Sequence, residues 1–81
     1  MKKYELEKLA QCIRKYVCVG NVGEIVNEWN EQMKIVQSQK ENIVPEQVRE
    51  VDKDTIYEVA SKFTRCVDKL VNCVLNDYES L

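Results

Sequence analysis

Eighty-one residues carry a formal net charge of −2 and a pI near 5.1, with 44% hydrophobic and 32% charged side chains. That balance describes one folded domain rather than a disordered chain, and it pulls weakly on a phosphate backbone. Two glycines and one proline are too few for the turns of a small all-β domain, no apolar run reaches the ~18 residues of a membrane span, and the absence of histidine removes imidazole catalysis and histidine metal sites.

In chain order, the first predicted helix covers 3–19. Leu6, Leu9, Ala10, Ile13, Tyr16 and Val17 fall on one side, and Lys3, Lys8, Arg14 and Lys15 fall mostly on the other. Gly20 suits a left-handed cap, and Asn21 suits the N-cap of a second helix over 22–39. The stripe of that helix is Val22, Ile25, Val26, Trp29, Met33 and Val36, with Trp29 as its core anchor. The short break between the two predicts an antiparallel hairpin. Polar residues 40–42 read as a loop. Pro45 suits the first position of a short helix over 45–51, which Val48 and Val51 would anchor.

A long helix over 54–80 closes the chain. Its start is marked by a capping box, Thr55-Ile56-Tyr57-Glu58, with Asp52 and Asp54 as rival caps. Three apolar rows run along it at seven-residue spacing: Ile56, Phe63 and Leu70; Val59, Cys66 and Cys73; and Ala60, Val67, Val74 and Leu81. Tyr57, Val71, Leu75 and Tyr78 widen the stripe to roughly 200°, where a surface helix uses about 100°. Two arrangements suit that width. Either the long helix is central, touched by neighbours on different sides, or the flank Tyr57, Val71, Leu75 and Tyr78 meets a second molecule, including another copy of the chain. The expected fold is therefore all-α: a single-domain bundle of three long helices plus a short connecting helix.

Four cysteines are the only unusual chemistry. Within one helix, Cys12 and Cys18, or Cys66 and Cys73, lie about 9 to 10.5 Å apart along the axis, beyond the reach of a disulfide. Bridges between elements, structural zinc and buried free thiols are the competing readings. The Cys-x₂₋₄-Cys spacing of a zinc knuckle is missing, and Cys66 and Cys73 sit on the apolar stripe, so packing is the preferred role. Cys18 faces the polar side and stands apart as a candidate reactive or crosslinking thiol.

No Gly-rich phosphate loop and no nucleophile elbow occur, and no metal or cofactor is expected. The N-terminus has the lysines of a secretion signal without its apolar core, which places the expected site of action in the cytoplasm of a bacterium or of a virus-infected host. A chain of this size has little room for a scaffold and a separate active site. The expected function is that of a non-enzymatic protein-binding regulator or inhibitor, of the adaptor, immunity-protein, antitoxin or virus-encoded type. Two alternatives stand beside it: a redox-responsive or disulfide-stapled helical domain, and a DNA-binding regulator with a helix–turn–helix in the first two helices. Glu24, Glu28 and Glu31 against a single lysine, Lys34, weigh against nucleic acid.

Overall fold

A computed structural model of the chain describes residues 2–16 and 22–81, with Val22 described by its backbone alone. Four helices, α1 (Leu6–Arg14), α2 (Val22–Glu41), α3 (Lys53–Phe63) and α4 (Val67–Ser80), are joined by a two-stranded antiparallel sheet of β1 (Lys3–Glu5) and β2 (Glu50–Asp52). The chain is thus predominantly helical, as its composition requires. The helices pack in a ring: α1 on α2, α2 on α3, α3 on α4, and α4 back on α1. Leu9, Ile13, Val26, Met33, Ile56, Val59, Val71 and Val74 fill its centre, each 1% exposed or less.

The expected long fourth helix is two helices. Thr64 leaves the α-region (φ −150°, ψ 155°), and its hydroxyl oxygen accepts the Cys66 N–H at 3.1 Å. A short polar side chain here offers the backbone a local partner that competes with the helical ladder. The break lets α3 and α4 pack on each other, which no straight helix permits. The apolar width that sequence alone assigned to one oversized helix is shared between two.

The first predicted helix loses its start to a strand. Tyr4 is buried between exposed Lys3 and Glu5, a period of two, and it pairs with Val51 in register. The predicted helix over 45–51 contracts to one 3₁₀ turn, Pro45–Gln47, followed by β2. Pro45 does occupy the first helical position, but Val48 and Val51 reach the core from extended backbone. Each outer edge of this small sheet is met by one helix side chain. The Tyr78 hydroxyl accepts the Glu5 N–H at 2.9 Å on one side, and Gln37 Oε1 accepts the Asp52 N–H at 3.1 Å on the other. These bonds satisfy donors that an open edge would offer to another chain.

α2 ends in a Schellman turn. Asn42 takes φ 58°, and the Ile43 N–H reaches back to the Ser38 carbonyl at 3.1 Å. The helix runs two residues beyond the predicted 39 because Lys40 and Glu41 are both engaged across the fold. Lys40 Nζ donates to Asp52 Oδ1 at 3.0 Å and to Thr55 Oγ1 at 2.9 Å. Glu41 accepts from Gln37 Nε2 at 2.9 Å and pairs with Lys3. The Thr55 hydroxyl donates to Gln37 Oε1 at 2.8 Å, and Asp52 caps α3 by accepting the Thr55 N–H at 2.8 Å. Gln37, Asp52 and Thr55 are buried, and their mutual bonds offset their desolvation.

Candidate functional site

The expected interface flank is not an open face. Val71 is fully buried, and Tyr57, Leu75 and Tyr78 are half-buried against the same core. Tyr78 is committed within the chain: it meets Tyr4 edge-on at 5.1 Å, and Lys8 stands 4.7 Å over its ring. The lysines assigned to the polar side of the first predicted helix are also engaged within the chain. Lys3 pairs with Glu41, Lys8 lies 3.9 Å from Glu5, and Lys15 lies 3.7 Å from Asp77. Asp77 and Glu79, acidic at a helix C-terminus, meet Lys15 and Lys2 rather than opposing the dipole alone.

The cysteines separate by burial. Cys12, Cys66 and Cys73 are free thiols, buried, exposed and half-buried respectively. Burial pushes the Cys12 thiol above its ordinary value, with the Asp77 carboxylate adding to the effect. Cys18, like the Gly20–Asn21 turn and Val17, lies outside the described residues. Among the described residues no cluster of three cysteine or acidic side chains is arranged to hold a metal, and no helix is long and apolar enough to cross a membrane.

Several large apolar side chains stand exposed, Ile35, Ile43 and Val44 among them, and one lies at the α3–α4 junction. Phe63, assigned by its heptad row to the core, is 38% exposed at the end of α3. Its ring lies 5.5 Å from that of Trp29, which is 2% exposed and whose indole N–H is enclosed without an acceptor. An enclosed, unpaired donor costs roughly 1–3 kcal/mol, which the packing of so large a ring offsets. Two shallow grooves flank Phe63 in sequence and space. The first has Glu24, Ile25, Glu28 and Gln32 of α2 on one wall and Lys62 and Phe63 of α3 on the other. The second is lined by Tyr16, Thr64, Cys66, Lys69, Leu70 and Cys73. Tyr16 is fixed there by donating its hydroxyl to Asp77 at 2.9 Å, a bond that together with desolvation raises its pKa.

Helix breaks expose what a continuous stripe would bury, and this is why the heptad pattern concealed Phe63 and Cys66. The available signal was Thr64-Arg65-Cys66, three residues with no aliphatic side chain and a hydroxyl able to cap. This region presents aromatic, aliphatic, charged and thiol side chains. No protein-family model, no curated protein and no solved structure matches the chain.

Proposed function

We propose that this chain is a small non-enzymatic protein-binding regulator or inhibitor, and that it binds through the surface around the α3–α4 junction. The observation that carries the reading is Phe63, an exposed aromatic seated on the buried Trp29. Aromatic side chains held in place before binding lose little entropy on docking and are typical interface anchors. Ile25 and Leu70, both half-exposed, lie in the grooves that flank it. Mass spectrometry of proteins captured from native-host extract on the immobilised chain tests this reading. Capture is expected to survive Val44→Glu, at an exposed position elsewhere, and to be lost with Phe63→Glu. Equal capture by all three chains would overturn it.

A second reading rests on the thiols. Exposed Cys66 and half-buried Cys73 share one groove, which suits a redox-responsive surface. Counting native thiols after exposure to a mild disulfide oxidant separates it from the first. Consumption of Cys66 or Cys73 with a change in partner capture would favour it.

A further inference from the structure

The groove beside Phe63 has walls of opposite sign. Glu24 and Glu28 stand exposed on the α2 wall, and Lys62 stands exposed on the α3 wall, with Ile25 and Phe63 beside them. Lys62 Nζ donates to the neutral amide oxygen of Gln32 at 3.2 Å, and among the described residues it has no carboxylate partner. Its charge is therefore placed on the groove without being neutralised there. A two-fold axis running along such a groove, in the plane of contact, sets the acidic wall of one copy over the basic wall of the other. The Glu28–Lys62 contact then forms twice, and each Phe63 is set over the α2 wall of the other copy, where Ile25 lies. This is the self-complementarity of an isologous interface. A different partner would need its own matching pair of walls; a second copy has them already.

We infer that the Glu28–Lys62 groove, with Phe63 at its edge, is the site at which two copies of this chain pair face to face. The inference rests on the protein-binding reading of this surface and names its occupant. It also moves self-association away from the flank of Tyr57, Val71, Leu75 and Tyr78, where the fold leaves no open face.

Light scattering across a concentration series, at low and high salt, measures the pairing. The wild-type chain is expected to dimerise, more weakly as salt screens the facing charges. Glu28→Lys and Lys62→Glu are each expected to raise the dissociation constant by at least about tenfold, since each sets like charges opposite one another. Mixed in equal amounts, the two variants are expected to restore a dimer, because position 28 of each copy then faces a charge of opposite sign at position 62 of the other. Both positions are exposed, and circular dichroism of each variant checks that it is folded. A wild-type chain that stays monomeric at high micromolar concentration, a dimer indifferent to both substitutions, or a mixture that stays monomeric would each overturn the pairing. If the wild-type chain is monomeric yet still captures a host protein through Phe63, the pairing fails and the protein-binding reading stands.

Discussion

Asn42 shows how much one residue can settle. It adopts the left-handed conformation that ends α2, a conformation Asn tolerates and alanine does not. Asn42→Ala is expected to cost about 1 kcal/mol in urea unfolding, while Asn42→Gly stays close to wild type. Asp52 does a different job, capping α3 and holding Lys40. Burial pushes its pKa up, but the Thr55 N–H and the Lys40 ammonium outweigh burial and leave it below the usual Asp range. Its folded-state value is depressed, so its contribution is complete above the ordinary Asp value and is lost as the pH falls through that value toward the native one. Asp52→Ala is expected to destabilise by about 1–2 kcal/mol at pH 7, and the gap from wild type should narrow in acid denaturation curves. The thiols give a third residue-level test. Among the three described thiols, timed alkylation with mass mapping is expected to label Cys66 first, Cys73 next and Cys12 only on unfolding, following their exposure. Labelling of Cys12 in the native state would contradict the packing described for α1.

At the scale of elements, the short strands depend on groups distant in sequence. β1 and β2 are three residues each, far below what an isolated hairpin needs. They persist because Tyr78 and Gln37 each bond to one outer edge and because Tyr4 and Val51 are buried. Tyr78→Phe keeps the ring against Tyr4 and removes only the acceptor for the Glu5 N–H. It is expected to cost about 0.5–1.5 kcal/mol and to speed hydrogen exchange at the Glu5 amide. No local pattern announces such a strand. Tyr4 followed by Leu6 and Leu9 also reads as helix, and a three-residue alternation is too short to outvote it. The break between α3 and α4 was concealed for a related reason. The heptad rows continue across Thr64–Cys66, and Val67 and Val74 do pack against the core with Val71.

For the whole molecule, the ring of four helices explains why the two termini support each other. Lys2 pairs with Glu79, Tyr4 packs on Tyr78, and Tyr16 binds Asp77, so the last turn of α4 is clasped by the N-terminal segment. Val71, nearer the start of the same helix, is fully buried in the core. Val71→Glu would bury an unpaired carboxylate and is expected to cost several kcal/mol, on the order of the stability of so small a domain. Thermal melts should register it as unfolding rather than as loss of association.

The sequence by itself determined the helical class, the core stripes of α1 and α2, the burial of Trp29 and the Pro45 start of a helical turn, while for the cap of α3 it offered Asp52 only as a rival to the Thr55 capping box. These rest on periodicity and local hydrogen-bonding chemistry, which act within a few residues. Tertiary structure alone decided that residues 53–80 are two helices, that Tyr4 and Val51 pair as strands, and that Phe63 faces outward while Val71 faces in. Each of those outcomes depends on a partner many residues away. Thr64 offers a place to break, but only the packing of α4 against both α1 and α3 makes the broken form bury more than the straight one. The candidate binding surface arises from the same cause: the turn that completes the core carries Phe63 and Cys66 out of it.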